Sequence, residues 1–111
     1  MIQMYNIHTV SGFEAAKKLM DENPDCLILD VREEEEYATG HAENALLFPV
    51  DDITADLANE VIPLKDTMLV VYCRTGSRSR MAAEELSTLG YTNIYDIGGL
   101  IGWPYGLVLG L

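Results

Sequence analysis

The chain has 111 residues, 49% of them hydrophobic and 23% charged, and it carries a formal net charge of −11. That length accommodates one domain with a real buried core and no need of disulfide or metal support, while the acidity argues against non-specific binding to nucleic acid or to an anionic membrane surface. No stretch is apolar for long enough to span a bilayer.

The first six residues, Met1 to Asn6, hold neither a basic region nor an apolar run, so no secretory signal is expected and the default location is cytoplasmic. Two cysteines, Cys26 and Cys73, suit a reducing compartment better than a disulfide framework. Tyr5 to His8 predicts a short first strand. Ser11-Gly-Phe-Glu14 has the Ser-x-x-Glu form of a capping box. Phe13, Ala16 and Leu19 or Met20 then repeat at helical spacing until Asn23-Pro24 stops the helix, and their predicted role is core. His8 has no acidic or cysteine neighbour and reads as a surface or structural histidine. Cys26 to Asp30 predicts a second buried strand in which Cys26 is a small hydrophobe. Asp30 falls at its carboxyl end, the edge where functional loops gather in open α/β sheets. A carboxylate near a reactive thiol would disfavour the thiolate, so Asp30 and Arg32 are expected to be structural, Asp30 receiving backbone donors and Arg32 pairing an acidic residue. The acidic run Glu33 to Glu36 reads as a solvated helix start, where negative charge suits the dipole.

Leu46 to Phe48 predicts a third strand, followed by a short helix capped by Asp51 or Asp52 with Ile53, Leu57 and Val61 on one side, closed by Pro63. Leu69 to Tyr72 form an apolar run that ends abruptly at Cys73, as a buried strand would. From Ser79 onward Ala82, Leu86 and Leu89 recur at helical spacing while Arg80, Glu84 and Ser87 fall elsewhere, which predicts an amphipathic helix ended by Gly90. Asn93 to Asp96 predicts a last strand, after which Gly98-Gly99 bends the chain towards Trp103-Pro104. The apolar tail Tyr105 to Leu111 is expected to dock against the domain, with an oligomer contact as the alternative. Strands alternating with helices in this order give an α/β domain with a largely parallel sheet.

Cys73 therefore lies at a strand end just before a helix, where unpartnered amides and the aligned peptide dipoles favour an anion. Arg74, Arg78 and Arg80 follow it within seven positions. A free thiol with a pKa of about 8.5 is only about 3% thiolate at neutral pH, and a fall of about two units makes it mostly thiolate without a histidine base. The spacing also separates two chemistries. A cysteine-dependent phosphatase needs five residues between Cys and Arg to close a cradle around a tetrahedral phosphate, whereas here Arg78 follows after four and Ser79 occupies the position that pattern reserves for Arg. The count argues against phosphatase or arsenate-reductase chemistry.

Cys73-Arg-Thr-Gly-Ser-Arg78 resembles the active-site loop of the rhodanese family of sulfurtransferases. Asp30-Val-Arg-Glu, Glu36-Tyr37 and Gly40-His41 resemble that family's DVR, EY and GH segments, and Gly98-Gly-Leu-Ile-Gly-Trp103 its GG and W segment, all in the family's order. The segment Gly40 to Pro49 departs from the usual GHIxGAxxIP by placing Ala42 and Asn44 where Ile and Gly are common; Asn tolerates left-handed backbone, so Asn44 serves the turn. The resemblance implies a three-layer domain over residues 1–111, with a largely parallel five-stranded sheet flanked by helices. It implies a structural role for His41 and structural support from Asp30 and Arg32. The implied activity is transfer of a sulfane sulfur from a donor (thiosulfate or a persulfide) to a thiophilic acceptor (cyanide or a thiol) through a persulfide on Cys73. Arg74, Thr75, Gly76, Ser77, Arg78 and Ser79 form the anion-binding loop, whose amides stabilise the persulfide while Arg74 and Arg78 attract the donor. No metal or organic cofactor is required. The expected partners are small molecules, with a protein sulfur donor or acceptor in a relay module as the alternative. Neither nucleic acid nor membrane is expected, and the chain is taken as a monomer or weak homodimer.

Overall fold

The computed structural model describes residues 5–111. Five strands form one sheet in the order β1-β5-β4-β2-β3, all neighbours parallel: β1 (Ile7–Thr9), β2 (Leu27–Asp30), β3 (Leu46–Leu47), β4 (Leu69–Cys73) and β5 (Ile94–Gly99). The helices are α1 (Phe13–Glu22), α2 (Glu34–Thr39), α3 (Ala55–Val61) and α4 (Ser77–Thr88).

β4 is the central strand, and all five of its residues are buried. Because successive side chains of a strand point to opposite faces, Leu69, Val71 and Cys73 join one apolar cluster with Ala58 of α3, Ile62 just after it, and Ala82, Ala83 and Leu86 of α4. Val70 and Tyr72 join a second cluster with Ile28, with Ala16, Phe13, Leu19 and Met20 of α1, and with Tyr37 of α2. The sheet is thus the middle of three layers, with α3 and α4 on one face and α1 on the other. Cys26, just before β2, packs against the second cluster, and burial pushes its thiol up from the ordinary value.

Several boundaries differ from the sequence reading. Ser11 caps nothing: α1 begins at Phe13 behind Gly12, whose φ of 93° replaces a side-chain cap. The reciprocal capping box forms instead at α2, between Glu33 and Glu36. Asp51 and Asp52 lie in a single 3-10 turn, and Thr54 caps α3 by accepting from the Leu57 amide. Ala58 of α3 and Ile62 just after it are consequently buried, while Leu57 is exposed. The last helix starts at Ser77, two residues earlier than periodicity gave, because Ser77 and Arg78 carry no apolar signal although they complete its first turn. Asn44 holds φ 68°, as its turn requires.

The connections after β2 and β4 run towards opposite edges of the sheet, leaving a crevice at their carboxyl ends. Crevices of this kind are where ligands bind in open α/β sheets. Asp30 pairs in register with Tyr72, the residue before Cys73, so the two loops are neighbours.

Candidate active site

A cavity of about 420 Å³ opens at that crevice, lined by Arg32, Glu36, Thr39, Gly40, Tyr72, Cys73, Arg74, Leu100, Ile101, Gly102 and Leu107. Cys73 exposes only 1% of its surface. It is thus buried and still contributes to the cavity lining. Its Sγ accepts a hydrogen bond of 3.0 Å from the Gly76 amide. Gly76 is the N-cap of the twelve-residue α4 and adopts a left-handed φ of 111°. The helix therefore turns one of its unpartnered amides, and the positive end of its dipole, towards the sulfur.

The loop after Cys73 is clamped from the other side by the end of β5. Leu100 and Ile101 donate their amides to the carbonyls of Cys73 and Arg74. Gly99 packs so closely that a Cβ there would stand 2.2 Å from the Arg74 carbonyl oxygen and 2.6 Å from Thr75 Cα. Gly99 is thus explained by contact, because it lets the loop after Cys73 lie on β5, whereas Gly98 holds a φ of 80° in open space.

The arginines divide differently from the sequence expectation. Arg78 lies in the first turn of α4, where a cation opposes the helix dipole, and it forms a two-pronged pair with Glu36 of α2, at 2.6 and 2.9 Å. Hydrogen bonding to Arg78 holds the Glu36 carboxyl at about 2, and the same bond pushes Arg78 up. Arg80 pairs with Glu84 along the helix. Arg74 lines the cavity and has no ion pair among the described residues. Thr75 and Ser77 are exposed. Ser79, at the position a phosphatase would give to arginine, is fully buried and donates its hydroxyl to the Gly76 carbonyl. That bond closes the turn and leaves no guanidinium to complete a phosphate cradle.

Asp30 and Arg32 pair with one another. Arg32 Nη2 lies 2.6 Å from Asp30 Oδ2, Nε reaches both carboxylate oxygens, and the Arg32 amide also donates to Oδ1. The guanidinium goes on to the Gly40 carbonyl at 2.7 Å. Tyr72 donates its hydroxyl to Asp30 and accepts from the Ala42 amide. Burial first, then the bond to Asp30, pushes the phenol up, so it remains a donor. His41 is 6% exposed, stacks on Tyr37 at 3.6 Å and contacts the Tyr37 carbonyl through Nδ1, which ties it into the scaffold. His8 is exposed and stacks on Tyr95.

Sequence reasoning missed three contributors. Glu36 was read as solvated, although a helix starting with Arg-bearing polar residues beside an acidic one needed a counter-charge. Tyr72 was read as strand core, and nothing in an apolar run reveals where a hydroxyl points. Leu107 came from the tail and carried no motif.

Residues 13–104 match the family model described as a rhodanese-like domain. The chain belongs to this family. Among individual rhodanese relatives, the Escherichia coli K12 protein named thiosulfate sulfurtransferase PspE is 38% identical over 72 residues, covering 65% of this chain and 68% of its own. A Photorhabdus laumondii protein named tRNA uridine(34) hydroxylase is 36% identical over 92 residues, 79% of this chain. The chain spans only 26% of that relative's length. Of solved structures, a rhodanese with anions from E. coli superposes with a TM-score of 0.69 at 32% identity, covering 76% of this chain and 98% of the other.

Proposed function

We propose that this rhodanese-like chain is a sulfurtransferase that carries sulfane sulfur on Cys73. The observation that carries the reading is the hydrogen bond from the α4 N-cap amide to Sγ, in a cavity that also presents Arg74. The Cys73 thiolate attacks the sulfane sulfur of thiosulfate or of a persulfide, the donor's S–S bond breaks, and sulfite or a thiolate leaves with the bonding electrons. Cys73 then bears a persulfide, stabilised as an anion by amides of the loop from Arg74 to Ser79. A cyanide ion or thiolate attacks the outer sulfur and releases the Cys73 thiolate. Asp30 and Arg32 hold the loop after β2 in place beside this chemistry. The free state of both cysteines fits a reducing, cytoplasmic setting.

The kinship with PspE supports thiosulfate as one donor. A relay reading, in which Cys73 takes sulfur from a protein partner, is the alternative, because this chain matches about a quarter of the length of the relatives named tRNA uridine(34) hydroxylase and so resembles one segment of longer proteins. Incubation with thiosulfate, followed by mass spectrometry, separates the two. Direct transfer adds one sulfur, about 32 Da, to Cys73, and Cys73→Ser gains nothing and turns over no thiosulfate with cyanide. Retained turnover by that variant would overturn the assignment.

A further inference from the structure

A second cavity, of about 290 Å³, lies beside α1 and shares no lining residue with the one at Cys73. Its walls come from the second half of α1, the chain that leads from α1 into β2, the turn over residues 42–44, and the stretch around Trp103 and Tyr105. That last wall is held by backbone bonds a little further along the chain. Val108 and His41 exchange both amide–carbonyl hydrogen bonds, at 2.8 and 2.9 Å, and Gly110 donates to the Ala38 carbonyl, which ties the tail to the domain. A concave space of this size, with apolar and aromatic lining and a few polar groups, has the character of a small-molecule site.

Two features decide what it can take. The rings of Trp103 and Tyr105 meet at 72° with centroids 4.9 Å apart, and neither residue is buried, so the cavity has an aromatic corner. Aromatic faces carry negative charge density and attract cations. An ammonium of the chain itself already uses this corner: Lys17 Nζ lies 5.7 Å from the Tyr105 ring centroid and 2.6 and 2.7 Å from the two carboxylate oxygens of Asp21. The second feature is a charge left over. Lys17 offsets Asp21, whereas Glu43, which also lines the cavity and is exposed, has no ion pair among the described residues. An anion would enter against that carboxylate and against a chain of net charge −11. A cation meets an unmatched carboxylate and ring faces, while Met20, Ile28 and the indole of Trp103 give an apolar body something to lie on.

We propose that this cavity is a binding site for a small organic cation, an ammonium carried on a flat apolar body. Glu43 matches the charge, and Trp103, Met20 and Ile28 cover the body. The site is separate from the sulfur-transfer reading and does not depend on a persulfide at Cys73.

Trp103 is the chain's single tryptophan, so its emission reports on the cavity directly. Titrating the full chain with 2-phenylethylammonium should change that emission saturably. Uncharged 2-phenylethanol should bind about tenfold more weakly, and 3-phenylpropionate more weakly again. Glu43→Gln should weaken the ammonium about threefold and leave the alcohol unchanged. Lys17→Gln removes the resident ammonium and releases Asp21 and the Tyr105 ring to the ligand, so it should tighten the ammonium about threefold. That opposite sign separates a cation site from a merely apolar hollow. Both side chains are at least partly exposed, and the comparison of the three probes in the wild-type chain stands without either variant. Quenching that never saturates, an alcohol as tight as the ammonium, or an ammonium affinity that both substitutions leave unchanged overturns the site.

Discussion

At the scale of single residues, the site is governed by how its charges are paired. Of the three arginines that follow Cys73 in sequence, Arg78 pairs with Glu36 on a neighbouring helix and Arg80 with Glu84 four positions on, while Arg74 has no ion pair among the described residues. Glu36 is the informative member. Its carboxyl is held at about 2, against an unfolded value of about 4.3, by the hydrogen bond to Arg78. A depressed carboxyl contributes stability that is present above the unfolded value and is lost as pH falls towards the folded one, so this pair's contribution disappears between about pH 5 and pH 2. Glu36→Gln keeps an acceptor for the Glu33 amide but removes the charge. For a half-exposed two-pronged pair the cost should be about 1 kcal/mol, or roughly 4 °C in thermal midpoint for a domain of this size. The variant should also show a flatter loss of midpoint below pH 5 than wild type. Equal acid sensitivity of the two proteins would show that the pair does not contribute. Because Arg78 is freed at the same time, kcat/KM for thiosulfate should rise in the variant at low salt.

At the scale of elements, what the sequence made legible followed from periodicity, and what it hid followed from contact. The run Leu69 to Tyr72 and the spacing of Ala82 and Leu86 announced β4 and α4 because a central strand and a packed helix must bury apolar side chains. The same rule failed at α3, where Leu57 gave a plausible stripe yet Thr54, not Asp51 or Asp52, sets the start and so turns Ala58 and Ile62 inward. Capping chemistry was misplaced for a similar reason: Ser11 and Glu14 have the right letters, but the chain enters α1 through Gly12. At the site, Cys73 and the loop were legible from residue type and order. The turn of Arg78 towards α2 was not, since it depends on which face of α4 meets Glu36. Gly99 was visible only as part of a motif, and its cause is the backbone of Arg74 and Thr75 pressed against it. Gly99→Ala must push that loop away from β5 or distort the strand. Overpacking against backbone should cost about 2–3 kcal/mol and, by lengthening the contact between the Gly76 amide and Sγ, should lower the rate of sulfur uptake by Cys73. Denaturant unfolding together with the uptake rate checks this. A variant with wild-type stability and rate would mean that the loop yields without cost.

At the scale of the whole molecule, a strongly acidic chain surrounds the site proposed to take an anionic donor. With 18 acidic against 7 basic residues, the chain as a whole repels an anionic donor, and the cavity contributes Arg74, the α4 amides and the dipole of a helix start. Which of the two governs the encounter is decided by range. At physiological salt exposed charges are screened beyond roughly 8 Å, so distant carboxylates count for little while Arg74, at the cavity itself, keeps most of its effect. At low salt the screening length grows to about 30 Å and the distant acids regain reach. If the local charge dominates, raising salt from about 0.01 to 0.5 M lowers kcat/KM for an anionic donor, because the attraction near the sulfur is the larger field to be screened. The effect should be steeper for thiosulfate than for a singly charged donor and should shrink in Arg74→Gln. Steady-state kinetics over a salt series measures all three. A kcat/KM that climbs with salt for both donors would mean that the acidic surface, and not the few donors around Cys73, controls access to the crevice.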